Sequence, residues 1–477
     1  MKKIVLSMFV TALLTNVYAD YDGVNIKLKH GVTETPEVHV LSDDIKEMFG
    51  KGKTSGQIRM FYVDREYQGG SGADTHRDAT VLGGHLKYET ATLNGIRLAT
   101  AFYTVQNLGL QQHATQSPAL LGTGYKSYSI LGEGYLGYNF SEVGLKSDAK
   151  LGYQRYDSLM MGSDDARTLP NTFRAYKFVS KDIENTTIQI AHVDKIAYGT
   201  FANIYSTGGI LAATSGYTSR GINDTTGVQT GEYLNLGSAT TGRKTAGVTN
   251  IQLKYTAKNF HIDLSNDYAW DLYNTLYADA GISWNCLLNS DVKPFVKLQM
   301  IKQNSVGGKY MQYSPLGGTG EIDSFYWAGK VGVKYEGFAA YLAYSQTSSN
   351  AAGDDSYKNA ILTQFGGMPA YTQGMVTRHM FLAGTKATKV AAVYNFKKHG
   401  VSLSTAAYYA SFDTDANSGY GIQRTATEAG FDIKYYPKTI EKLQLRFRGN
   451  FPRKFAEATP GNDTGWNEYR LIANYNF

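Results

Sequence analysis

The chain has 477 residues, with 47 Lys+Arg against 41 Asp+Glu and a single cysteine, Cys286. One cysteine excludes a disulfide-stapled secreted scaffold, and the near balance of charge leaves no basic excess to suggest a nucleic-acid partner. With 51 Gly, 37 Tyr and only 9 Pro, the composition fits a strand-rich chain whose rings sit at interfaces, apolar on the face and polar at the hydroxyl.

The first element is MKKIVLSMFVTALLTNVYAD: Lys2 and Lys3, an apolar run from Ile4 to Leu14, then Val17 and Ala19 at small-residue positions. It reads as a secretory signal peptide over residues 1–19, cut after Ala19, because the run is short for a membrane span. Residues 20–53 read as a periplasmic N-terminal arm. Within it VNIKLKH is a short alternating piece, and SDDIKEMFGKGK carries one helical segment with Ser42 as N-cap and Ile45, Met48 and Phe49 on one face.

From residue 54 to 477 the pattern is period-two alternation. IQLKY sets Ile251, Leu253 and Tyr255 against Gln252 and Lys254. SFYWAGKVGVKYE sets Phe325, Trp327, Val331 and Val333 against Tyr326, Ala328, Lys330 and Lys334. LQLRFRGNF sets Leu443, Leu445, Phe447 and Phe451 against Gln444, Arg446, Arg448 and Asn450. The closing EYRLIANYNF sets Tyr469, Leu471, Ala473, Tyr475 and Phe477 against Arg470, Asn474 and Asn476, with Ile472 the exception.

Short connections at 92–95, 141–147, 181–186, 257–259, 287–291, 336–337, 398–400 and 438–442 alternate with mostly longer polar ones. Among these are about 106–126, 157–172, 197–247, 303–323 and 348–384; one connection on that side, near 271–275, is short. Short turns on one side and long loops on the other mark a bacterial outer-membrane barrel. The fold class is therefore all-β, a transmembrane antiparallel β-barrel counted at eighteen strands, with sixteen the alternative count. Aromatics near strand ends (Tyr62, Tyr88, Tyr138, Phe140, Trp284, Tyr335, Tyr435 and Tyr475) match interfacial girdles.

Catalytic and metal signals are weak. GKT at 52–54 lacks the glycine of a phosphate loop, since position 47 is glutamate. Ser71 lacks the second glycine of a nucleophile elbow, replaced by Ala73. The nine histidines show no paired-ligand spacing, and His85 reads as a wall histidine. No enzyme activity, cofactor or metal is expected. The parity instead puts Arg446, Arg448, Arg470 and Lys434 on the inward face of neighbouring strands, with Lys389, Lys330 and Lys334 inward on earlier ones. These side chains are expected to form a basic column along a water-filled lumen, with Arg446 and Arg448 water-exposed.

Several segments together resemble a known family: QIRMFYVDREY (57–67), SDDARTLPNTFRAY (163–176), DIENTTIQIAHVDK (182–195), YAWDLYNTLYADA (268–280) and WNCLLNSDVKPFV (284–296). They resemble OprD-type outer-membrane porins, particularly those of campylobacter-like bacteria. The resemblance implies an eighteen-stranded porin in outer-membrane lipid, monomer or homotrimer, with inward-folded loops narrowing the pore. It implies passive diffusion of small hydrophilic solutes, carboxylate-bearing ones such as amino acids among them. It casts Arg446 and Arg448 as members of a basic ladder, with Arg470 a weaker match, and SDDARTLPN as the constriction loop bearing Asp164 and Asp165. A terminal aromatic such as Phe477 is what barrel assembly favours in such proteins. The rival from another class is a surface structural or adhesion protein that uses the barrel as an anchor.

Overall fold

The computed structural model describes residues 40–69, 76–113, 115–116, 120–200, 209–216, 231–421, 423–459 and 462–477. The signal-peptide reading over 1–19 and the alternating piece VNIKLKH lie outside the described residues. The alternating segments form eighteen barrel strands: β1 Lys53–Gln68, β2 His76–Glu89, β3 Ile96–Asn107, β4 Tyr128–Asn139, β5 Ser147–Gln154, β6 Thr172–Ser180, β7 Thr186–Ala197, β8 Val248–Thr256 and β9 Phe260–Ala269. They continue as β10 Tyr273–Ser283, β11 Val292–Ser305, β12 Asp323–Tyr335, β13 Phe338–Thr347, β14 Lys386–Asn395, β15 Leu403–Asp413, β16 Thr425–Tyr435, β17 Leu443–Arg453 and β18 Asn462–Asn476. Each pairs antiparallel with its neighbours, and β18 returns to β1 in a register running from Gln57↔Asn476 to Gln68↔Gly465. Phe477 and Gly56 exchange backbone hydrogen bonds of 3.1 Å in both directions. The final strand ends mid-sheet because the first strand is its partner, and closure removes the edge.

The outward face is apolar. Ile58, Leu82, Leu98, Phe102, Leu131, Ile251, Leu342, Val390, Leu445 and Leu471 all project away from the lumen, where lipid replaces water as their neighbour. Trp284, Tyr335, Tyr435 and Tyr475 face outward at the turn-side ends of their strands, where a girdle is expected; Tyr62 instead lies well along β1. The turns have local causes. Asn94 and Gly95 both take positive φ, 49° and 81°, the tight hairpin that Asn-Gly favours because its twist matches that of the strands. Asp182 organises the turn after β6, accepting hydrogen bonds from Ser147, Ser180 and the Lys146 N–H. These donors hold its carboxyl below the usual range.

The helix before the barrel, α1 Ile45–Gly50, starts two residues later than the sequence suggested. Asp44, not Ser42, is the N-cap: its carboxylate accepts from the Glu47 N–H at 2.7 Å, and Glu47 reaches back to the Asp43 N–H. This is a reciprocal capping arrangement with a carboxylate in the serine role. Ser42 is drawn off to bond the Thr92 carbonyl on the turn-side rim.

The largest departure concerns the loops. The connection after β13, a long polar stretch over 348–384 by its sequence, is buried throughout residues 360–383. It dives into the barrel and packs with 155–171 and 209–216. Thr363 N–H donates to the Ala213 carbonyl at 2.8 Å, and Gly162 N–H to the Phe365 carbonyl at 3.2 Å. An apolar core therefore sits inside the lumen, joining Tyr156, Ile210, Leu236, Leu362, Phe365 and Val376 to inward wall residues.

Four outcomes are expected. An epitope inserted at Ala352–Gly353, which is exposed, is expected to be reached by antibody on intact cells. One at His399–Gly400 is expected to be reached only after permeabilisation, and one at Met375–Val376 to abolish assembly. Phe447→Arg places a charge against lipid at the middle of β17; a cost of about 2–4 kcal/mol is expected, read as loss of the heat-modifiable folded band on gels.

Candidate functional site

Strands β16, β17, β18 and β1 form a continuous inner-wall patch. Their registers align inward side chains in rows: Lys434–Arg446–Ile472–Phe61, then Asp432–Arg448–Arg470–Val63, then Asn450–Glu468–Arg65. Directly opposed residues on adjacent strands are near neighbours, so the three arginines expected from parity do converge, with Lys434 beside them.

They are not water-exposed, which corrects the expectation. Arg446, Arg448 and Arg470 are 3%, 0% and 1% exposed, because loops 155–171 and 348–385 occupy the space that water was expected to fill. Arg446 forks onto Asp432, with Nε to Oδ1 at 2.7 Å and Nη2 on the other oxygen. Arg470 donates to Glu468 at 2.5 Å and to Asn450 at 2.8 Å. Arg448 differs. Its nearest carboxylate oxygen, on Asp432, is 3.7 Å away. Among the described residues none of its three guanidinium nitrogens has a hydrogen-bond partner. A buried guanidinium with an unused fork is costly unless something bonds it.

Three arginines that parity did not select complete the patch. Arg59 and Arg65 lie inward on β1, and Arg167 comes from the loop. Arg59 bonds Asn474 at 2.8 Å and Asp165 at 2.6 Å, and also the Arg167 carbonyl. Arg65 and Arg167 both reach Glu468. Alternation does not mark the β1 arginines, because Phe61 and Val63 share their face and blur the pattern. Those two, with Ile472, pack against Leu120, Leu121 and Leu169 of the inward loops, which also explains the one apolar exception on the last strand. The outward pair Ile58 and Met60 was the signal that could have set the parity. Guanidiniums outnumber carboxylates here: Arg59, Arg65, Arg167, Arg446, Arg448 and Arg470 against Asp165, Asp432 and Glu468.

The loop 155–171 folds inward. Asp165 is buried against Arg59, with Arg155 at 3.6 Å. Asp164 takes a positive φ of 48° and is half-buried. Between this loop and the wall lies a cleft bounded by Gln57, His85, Tyr103, Arg155, Asp165 and Thr168. His85 is inward and stacked on Tyr103.

The lysines do not extend the column. Lys330 and Lys389 lie in one horizontal row, Lys330–Ala343–Lys389–Ala410–Glu428. Both grip the inward loop. Lys389 Nζ donates to the Gln373 carbonyl at 2.7 Å, and Lys330 Nζ lies 4.2 Å from the centre of the Tyr371 ring. Glu428 completes this clamp by accepting from the Met375 and Thr377 N–H groups, at 2.6 and 2.5 Å. Lys334 lies nearer the turn side, half-buried, 5.6 Å from the Phe295 ring centre. In the same loop burial pushes the His379 imidazole down to about 4. The ring is therefore neutral at physiological pH, with Nε2–H donating to the Phe455 carbonyl at 3.0 Å.

The chain matches a family model described as outer membrane porin, OprD family, over residues 47–477. No curated protein matches it. Solved structures share the fold at low identity. OpdK of Pseudomonas aeruginosa, determined with vanillate, is 17% identical with a TM-score of 0.67, covering 90% of this chain and 99% of that one. OccAB3 of Acinetobacter baumannii is 17% identical at TM-score 0.67, covering 90% and 100%. A BenF-like porin from Pseudomonas fluorescens Pf-5 is 15% identical at TM-score 0.67, covering 90% and 99%.

The two neighbouring arginines should separate on substitution. Arg446→Gln takes from buried Asp432 its forked partner and leaves Arg448 at 3.7 Å, and breaking a buried pair costs about 3–5 kcal/mol; its folded band should convert to the unfolded one at a clearly lower temperature. Arg448→Gln removes a charge whose donors have no hydrogen-bond partner among the described residues and should leave that temperature unchanged or raise it.

Proposed function

Because the chain belongs to the OprD family of outer-membrane porins, we propose that its pore selects small carboxylate-bearing solutes through the arginine patch on β16–β18 and β1. The family gives passive diffusion of small solutes across the bacterial outer membrane. The finer reading rests on Arg448. Its guanidinium is buried among an excess of cations, and its fork matches a carboxylate bidentately.

Arg446 and Arg470 act differently in this reading. Their carboxylate partners fix them in place and offset their charge, so the field that a passing anion feels comes mainly from Arg448. Lys434, beside Arg446, adds to that field. Asp164 and Asp165 sit on the constriction loop, and the Arg59–Asp165 pair pins that loop to the wall. Lys330, Lys389 and Glu428 belong to the scaffold, holding the loop 348–385; Lys334 tunes the turn-side vestibule. The leader over 1–19 would export the chain, and the arm over 20–53 would lie in the periplasm. Since β1 and β18 close one chain into a whole barrel, each copy is a complete channel, whether it stands as monomer or homotrimer. No catalytic role is assigned to any of these residues. The anchor reading fits less well, because the second-longest loop turns into the lumen rather than outward.

Planar-bilayer recording tests the proposal. Wild type is expected to show single-channel steps with a reversal potential favouring anions. Arg448→Gln should reduce that preference, more at low salt than at physiological ionic strength, where the screening length is about 8 Å. An unchanged reversal potential in well-folded Arg448→Gln would remove the arginine from the selectivity path.

A further inference from the structure

A second cluster lies outside the pore, at the loop-side ends of β1 and β2. Asp64 and Asp78 are opposite one another across the two strands, and His76 is opposite Glu66. All four share the outward parity of Met60 and Leu82, so they face away from the lumen. Residues 108–113, which follow β3, fold over them. Buried Asp78 accepts from the backbone N–H groups of Gln112 and His113, each at 2.9 Å, and from His113 Nδ1 at 2.8 Å.

That last hydrogen bond decides the chemistry of His113. With its proton on Nδ1 and directed at a carboxylate, the lone pair is on Nε2. This carboxylate–imidazole pairing is the one that orients metal-binding histidines. The His113 ring stacks on His76, centroids 3.5 Å apart and planes 23° from parallel. His76 Nε2 lies 2.8 Å from Asp64 Oδ2, and Tyr62 donates to the same oxygen at 3.2 Å.

We propose that Asp64, His76 and His113 form a binding site for a divalent transition-metal cation of the zinc, nickel and copper class. One donor atom from each lies within 4.8 Å of the others. Donors held at about 2.0–2.2 Å by one tetrahedral ion stand roughly 3.3 Å apart, so binding draws the three groups together and turns the two imidazoles out of their parallel stack until both lone pairs meet the ion. Two imidazoles and one carboxylate select such ions over magnesium or calcium, which prefer all-oxygen ligands. Three protein ligands leave a position for water or an external donor. The bound ion would staple the 108–113 segment to the rim of the first two strands. Spacing along the chain hides the set, since its members come from two strands and a loop.

Copper(II) is the probe for the test, added to the refolded full-length barrel after stripping with chelator. Equilibrium dialysis should give one tightly held ion per chain, and its electron paramagnetic resonance spectrum should show coupling to two imidazole nitrogens. His76→Ala and His113→Ala should each weaken binding at least about tenfold, as loss of a ligand or its orientation does. His399→Ala, on a turn at the opposite end of the barrel, should not. If alanine disturbs assembly, judged by the heat-modifiable band, His113→Phe keeps a ring in the stack without its donor atoms and should show the same loss. Binding in wild type no tighter than in the His76→Ala/His113→Ala double variant would overturn the site, as would a spectrum without two nitrogens.

Discussion

In a bilayer core every backbone N–H and C=O needs a partner from the chain itself, and the pairing of β1 with β18 is the step that meets this requirement. Once that seam closes, no strand has an edge and inward and outward parity are set for every residue in the wall. A shift of one residue at the seam would turn Arg470 toward lipid and Leu471 toward the lumen. The outward apolar rows, the aromatic ends and the polar interior all inherit their side from this one register.

The polar interior then has two duties. Along β10–β16 it binds the inward loop, and it does so through the loop's backbone. Gln303 exchanges hydrogen bonds of 2.8 Å with the carbonyl and N–H of Leu362, Gln299 bonds the Pro369 carbonyl, and Thr347 the Met380 carbonyl. Irregular backbone at membrane depth survives only where protein or water satisfies it, and here the wall supplies the partners. Along β16–β18 and β1 the wall gathers arginines, and among the described residues all three guanidinium nitrogens of Arg448 are without a hydrogen-bond partner. Rigid clamps on one arc hold the inward loop beside the other.

Much of this was legible in the chain. Period-two alternation needs only neighbouring residues, so strand positions, the eighteen-strand count and the inward parity of Arg446, Arg448 and Arg470 could all be read from local pattern. The alternation failed where the inner wall is apolar. Phe61, Val63 and Ile472 face inward because Leu120, Leu121 and Leu169 fold down upon them, and no local rule announces a loop that returns from the far end of a strand. The helix cap slipped for a related reason: a rim contact from Thr92 captured Ser42 and left the capping to Asp44.

What the sequence by itself determined is the barrel: alternation sorts each strand into lipid-facing and lumen-facing halves, and the asymmetry of long and short connections orients it. What only the tertiary structure decided is the state of the side chains inside. Whether an inward arginine meets water, a carboxylate or nothing depends on register across strands and on loops far away in the chain. Arg446 found Asp432, Lys389 found the Gln373 carbonyl, and Arg448 found no hydrogen-bond partner among the described residues. His76 and His113 meet for the same reason, since their approach is set by a loop folding over two paired strands rather than by any spacing between them.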